Sequence, residues 1–273
     1  MPAPNLHPIA TGLARQTVDN HSAKQQLKLY GSWFDPFSQR AWLTLEEKGI
    51  PYEYIEVNPY NKSPEFLRVN PRGLMPTLEV SPGKPLYESG VVCDYLEYQY
   101  AEHKPNLLPS DAYDRARSRI WIEYVTTKII PAYHRLLQFQ PASYEGNGAA
   151  RIEEMRAELR KYLLEFTAQM VDASQGPFFT GKQVGLVDIM LIPWALRLWV
   201  FEEFKGGPAV PEKGKGGEEW ERWHVWLTAV NELGSVKRTM SDRVHYSAVI
   251  EPYANDTAQS ELAKATRAGR GVP

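Results

Sequence analysis

Hydrophobic and polar positions follow one rhythm in the first third of the chain and another afterwards. Leu27–Tyr30 (LKLY) alternates as a short strand does, and Tyr52–Val57 (YEYIEV) alternates again. Between them the pattern is helical. Asp35 fits an N-cap, Pro36 fits a first helical position where its missing N–H costs nothing, and Gly49 fits a left-handed C-cap. Pro64–Val69 reads as a short helix and residues 70–73 as a turn. Residues 75–80 read as a third strand, opened by a proline that cannot donate to a ladder. A turn at 81–84 leads to a last strand, Pro85–Tyr87, and a helix begins at Glu88 and Ser89. The order βαβ, β-hairpin, α describes a small α/β domain.

From Leu107 no strand pattern and no internal repeat is found. Ile120, Trp121, Tyr124, Val125 and Ile129 lie at helical spacing within Asp111–Phe139, and Ala149–Asp172 is a long amphipathic helix. Val187–Phe204 and Trp220–Leu233 read as further helices. The expected organisation is a disordered leader over 1–26, an α/β domain over 27–105, a linker over 106–111, an all-helical domain over 112–252 and a fraying tail over 253–273.

Composition narrows the partners. An apolar fraction of 43% with 8 Trp, 15 Tyr and 9 Phe supplies ample core for a folded chain of 273 residues. The most apolar window, Val184–Phe204, is broken by Asp188, Pro193 and Arg197, so it reads as a buried helix and no membrane partner is expected. A net charge of -2, with both signs interspersed, argues against a nucleic-acid partner. The single cysteine, Cys93, excludes a disulfide framework, a CxxC pair and a four-cysteine metal site. A reducing cytoplasm follows, and no metal is called for. Cys93 reads as a small core residue. The first 26 residues lack the apolar region of a secretory signal, while Arg15 and Lys24 leave mitochondrial targeting as the alternative.

Four separated features carry the candidate chemistry. DPFSQR (35–40) opens the first helix after a strand, Lys62 lies on the loop after the second strand, NPRGLMP (70–76) ends in a Met-Pro bond, and YESG (87–90) puts an acid and a hydroxyl at a helix N-terminus. With LLPSD (107–111) and GLVDIMLIPW (185–194), this order and spacing resembles the glutathione transferase superfamily, omega class, over about Leu27 to Ser241. The resemblance implies a thioredoxin-like α/β domain followed by an all-α domain, glutathione as co-substrate, and a homodimer.

It also implies site roles. Pro76 follows a cis bond, and Met75 pairs its backbone with the cysteinyl unit of glutathione. Lys62 meets the glycyl carboxylate. The helix start at Glu88 and Ser89 receives the γ-glutamyl end: free N–H groups and the Ser89 hydroxyl for its carboxylate, Glu88 for its amine. The sulfur then lies beside Asp35 and Phe37. Asp188 matches the family's S/T-x-x-D capping motif, with Gly185 in place of the hydroxyl residue.

The departure from the class is at Asp35, where omega enzymes carry a cysteine. A carboxylate performs no thiol–disulfide exchange, so thioltransferase and dehydroascorbate reductase activities are not expected. Asp35 caps its helix, or acts as a general base near the sulfur, though a carboxylate beside a thiolate raises the pKa of one of them. Ser38 and Ser32 are the candidate hydroxyls for thiol activation, with Tyr30 behind them. The expected reaction is attack of glutathione sulfur on a small electrophile, held in an apolar cleft lined by Trp121 and Tyr124, with Trp194 and Trp199 as additions. The rival readings are a non-catalytic glutathione or hydrophobic-ligand binding protein and an intracellular chloride-channel-like protein.

Overall fold

The computed structural model describes residues 6–271. In chain order it runs α1 (Gly12–Asn20), β1 (Lys28–Gly31), α2 (Pro36–Lys48), β2 (Glu53–Glu56), α3 (Pro64–Val69), β3 (Thr77–Glu79), β4 (Pro85–Tyr87) and α4 (Ser89–Gln99). Helices follow: α5 (Ala112–Tyr124), α6 (Ile130–Gln138), α7 (Gly148–Thr167), α8 (Leu186–Ala195), α9 (Val200–Lys205) and α10 (Glu221–Glu232). The last are α11 (Gly234–Thr239), α12 (Ser247–Ala254) and α13 (Glu261–Arg267). The chain forms two units, one reaching to Pro109 and including Val230–Tyr246, the other Ser110–Ala229 with the segment from Ser247 onward.

In the first unit the strands form one mixed sheet in the order β2-β1-β3-β4. β1 and β2 are parallel, joined by the crossover helix α2, while β3 runs antiparallel to both β1 and β4. Leu29 of β1 sits between Tyr54 of β2 and Leu78 of β3, and all three are buried. α2 and α4 pack together through Thr44, whose Oγ1 lies 3.3 Å from Cys93 Sγ, and through a buried ion pair of Lys48 and Glu97 at 2.7 Å. Glu97 also accepts the N–H groups of Leu107 and Leu108, so no oxygen of the buried charge is wasted.

The expected leader over 1–26 contains ordered structure. α1 buries Ala14 and Thr17, and the surrounding loops are tied to distant residues. The Thr11 N–H donates to Ser241 Oγ at 3.1 Å, and Thr11 Oγ1 accepts the Asp242 N–H at 2.9 Å. His21 stacks on Tyr52 with ring centroids 3.9 Å apart and pairs with Glu46 at 3.2 Å. A disordered leader is therefore corrected over the described residues: tertiary contacts, not helix propensity, hold this segment. The helical domain expected to be continuous over 112–252 is also interrupted, because Val230–Tyr246, with α11, belongs to the first unit. The helical unit resumes at Ser247 and runs past 252. Arg238 of α11 pairs with Glu46 at 2.8 Å and Ser235 bonds Glu47.

In the helical unit every residue of α8 is buried. The single long helix expected over 111–139 is interrupted by a π-helical turn, Val125–Ile129. Pro131 lacks the N–H that would close the ordinary bond to residue 127, and its ring crowds that carbonyl, so one turn widens. The expected fraying tail instead carries α13, capped by Ser260 and held by Gln138, whose Nε2 donates to Ala263 O at 3.1 Å.

Candidate active site

The strand–helix junction after β1 is built tightly. A Cβ on Gly31 would come within 3.2 Å of Ser38 Oγ, so the smallest residue allows α2 to start this close to the strand. Asp35 takes the N-cap position. Its carboxylate accepts the N–H groups of Phe37 at 3.3 Å and Ser38 at 2.8 Å, and the Ser38 hydroxyl at 2.6 Å. The capping role expected of Asp35 is present.

The candidate hydroxyls are placed against the expectation. Ser32 and Ser38 are each 1% exposed. Ser38 Oγ donates to Asp35, Ser32 Oγ donates to the Val57 carbonyl, and Tyr30 donates to Glu79 at 3.3 Å. A hydroxyl that has given its proton to an oxygen inside the fold has none for a thiolate. Burial also pushes Tyr30 up to about 12. Ser32 and Ser38, expected to activate the thiol, thus both have their hydroxyls engaged inside the fold. The same junction contains a carboxyl that sequence reading passed over: Glu56 accepts the Trp33 N–H at 3.0 Å and the Tyr54 hydroxyl at 3.3 Å. Burial pushes it up to about 7.

The turn before β3 is shaped by Asn70. Its side chain donates to Thr77 Oγ1 at 2.8 Å and accepts the Arg72 N–H at 3.1 Å, while Gly73 turns with φ 61°. The Met75–Pro76 bond is cis, as the resemblance implied. Met75 Sδ lies 3.6 Å from Ser32 Oγ, bringing this turn to the loop before α2. Lys62 folds over the same turn. A Cβ on Gly73 would meet Lys62 Cδ at 3.0 Å, and the Lys62 ammonium has no hydrogen bond or ion pair among the described residues.

At the start of α4, Glu88 has φ 70° and ψ 111°, a conformation that L-residues avoid. Among the described residues no side chain caps this helix, and Glu88 is exposed. Ser89 follows, 7% exposed, accepting a hydrogen bond at 3.1 Å from Nη1 of the buried Arg40. Arg40 was not foreseen as part of the site. Its only signal was a cation at the end of DPFSQR, on the helix face that turns inward. The Arg72 guanidinium lies 5.2 Å from the Tyr87 ring centre, one residue before Glu88.

Residues 29–104 match the glutathione S-transferase N-terminal domain and residues 149–229 match the glutathione S-transferase C-terminal domain. Glutathione S-transferase omega-1 of Sus scrofa is 34% identical over 64% of this chain and 68% of its own. The chain belongs to the glutathione S-transferase family.

Solved transferases share its fold. Glutathione transferase omega 3C from Trametes versicolor superposes with a TM-score of 0.79 at 41% identity, covering 92% of this chain and all of that one. Rice GST1, solved in complex with glutathione, superposes with a TM-score of 0.68 at 27% identity, covering 84% of this chain and 99% of the other. The thioredoxin-like sheet and the all-helical unit are thus those of a glutathione transferase.

In the helical unit of this transferase, Trp121 packs with its ring centre 6.2 Å from Phe179 and 4.8 Å from Tyr124, whose hydroxyl donates to Glu165. These contacts are those of helix packing. Trp194 is buried and its indole N–H donates to His134 at 3.1 Å. Asp188 accepts the N–H groups of Phe179 and Gly185 at 2.9 Å each, and the Trp226 indole at 2.7 Å. Gly185 has no side chain to complete a reciprocal box, so the expected half of the motif is what exists. Among the described residues no three His, Cys, Asp or Glu are grouped to hold a metal ion, and no helix is long and apolar enough to cross a membrane.

Proposed function

We propose that this transferase is omega-like with Asp35 in the cysteine position, and that it conjugates glutathione to a small electrophile. The observation that carries the reading is the start of α4, uncapped by any side chain, with Ser89 and the exposed Glu88 set to receive the γ-glutamyl carboxylate and amine. Met75 offers its backbone after the cis turn, and the unpaired Lys62 supplies a cation for the glycyl carboxylate.

The buried serines leave Asp35 as the group nearest the start of α2 that can take the thiol proton. Glutathione enters as a thiol with its S–H directed at the carboxylate. As the sulfur lone pair forms a bond to the electrophile and the leaving group departs, the proton passes to Asp35 and then to water. The class habit extends the reading to a cytoplasmic homodimer, which sedimentation of the purified protein tests.

One observation favours a second reading. The Asp35 carboxylate occupies the Phe37 and Ser38 N–H groups that would otherwise favour a thiolate. An uncharged thioether suits such a place better, and a carrier of glutathione conjugates would show that preference without turnover. Calorimetry with glutathione and S-hexylglutathione, followed by a panel of halogenated aromatics, isothiocyanates and peroxides, separates the two. Rates above the uncatalysed reaction support the enzyme. Binding without turnover supports the carrier, and absence of glutathione binding removes both. Asp35→Cys should acquire thiol–disulfide exchange if the remaining site is intact.

A further inference from the structure

We propose that Arg40 is a positioning residue for glutathione binding: it fixes the direction of the Ser89 hydroxyl and thereby tunes the site to a carboxylate. The inference rests on the glutathione reading above. A guanidinium has five N–H donors and no acceptor. With Arg40 Nη1 at 3.1 Å from Ser89 Oγ, the serine oxygen must be the acceptor in that bond. Its own O–H is left to point elsewhere, and an anion arriving at the N-terminus of α4 receives a donated proton instead of a lone pair. Without Arg40 the hydroxyl is free to turn inward and donate to the fold, as Ser32 and Ser38 do.

Arg40 itself is held firmly. It is 2% exposed, and its guanidinium carbon lies 5.5 Å from the Phe37 ring centre. The same side chain thus links the first turn of α2 to the first turn of α4. Burial lowers its pKa to about 10, which leaves it charged at neutral pH. A cation removed from solvent is poorly screened, so it also adds to the positive field already present where two helices begin.

The test is a double-mutant cycle on the full chain, reading the Kd for glutathione and for 4-aminobutyryl-cysteinyl-glycine, the analogue without the γ-glutamyl α-carboxylate. Ser89→Ala should weaken glutathione binding by roughly tenfold to a hundredfold, the worth of a hydrogen bond to a charged group. Arg40→Met should do the same. The double variant should lose no more than about threefold beyond Ser89→Ala, because Arg40 acts through the serine. Neither substitution should move the Kd of the decarboxylated analogue by more than about twofold.

Arg40→Lys, which keeps the charge but offers a single flexible donor group, should fall between wild type and Arg40→Met; it carries the test where the methionine variant does not fold. Additive losses in the double variant, or equal losses for both ligands, would make Arg40 a purely structural residue and overturn the proposal. If wild type binds glutathione and Arg40→Lys binds it equally tightly in normal and high salt, the proposal also falls while the transferase reading stands. Absence of glutathione binding by wild type would instead remove the reading on which it rests.

Discussion

Two helices of the first unit begin within reach of one buried arginine, and they begin in opposite ways. α2 carries its own anion: Asp35 accepts two backbone N–H groups and the Ser38 hydroxyl. α4 carries none; its N-cap residue has a left-sided φ of 70° and no side chain closes the first turn. Both ends have the same partial positive charge. One is neutralised by the chain and contributes stability, whereas the other is kept open at a cost in backbone strain. The difference separates what a helix start does for folding from what it does for a ligand.

The enclosed extreme of this comparison is α8, and breaking it should give the largest effect. Asp188→Ala leaves three buried donors without an acceptor, and about 3–5 kcal/mol of stability should be lost in urea denaturation. A loss under about 1 kcal/mol would mean that internal anions at helix starts contribute little in this protein.

The loop leading into α2 provides a pH test of intermediate size. The folded state holds the Glu56 proton more tightly than the unfolded chain does, since burial raises its carboxyl from 4.5 to about 7. Its contribution to stability is therefore complete below about pH 4.5 and lost as pH rises through 7. Relative to Glu56→Gln, wild type should lose on the order of 1–2 kcal/mol across that window. A difference that stays flat with pH would contradict the placement of the carboxyl.

Next comes the comparison itself. Asp35→Ala should destabilise the protein by about 1 kcal/mol, the usual worth of a cap. Glu88→Gly should act in the other direction, raising the melting temperature by an amount equivalent to about 1 kcal/mol while weakening glutathione binding. Equal signs for the two would erase the distinction. The smallest effect belongs to Lys62→Met, expected to weaken glutathione binding about threefold at low salt and not at all near 1 M salt, because an exposed ammonium is readily screened.

What was legible in the sequence was local. The Asp35-Pro36 start and Gly49 stop of α2 are both where the residues place them, with Gly49 at φ 58°. Met75, Pro76, Glu88 and Ser89 each lie in a short motif, whereas Lys62 was singled out only by its place on the loop after the second strand. α1 was not legible, since Thr11 spends its hydroxyl on Asp242 rather than on its own helix, a partner 231 residues away. Hydroxyl direction was not legible either. Ser32 donates to Val57, a carbonyl brought alongside only when β1 and β2 pair. The role of Arg40 required knowing that α2 and α4 lie against each other, which no periodicity in either helix states.

Cys93 is the chain's single thiol, shut between α2 and α4 with no exposed surface and a pKa that burial pushes up to about 12. A protein that handles a reactive sulfur belonging to its substrate thus presents no thiol of its own at its surface. Thiol-directed reagents and disulfides in the surrounding solution find no accessible thiol while the fold is intact, and modification of Cys93 reports that the helices have parted.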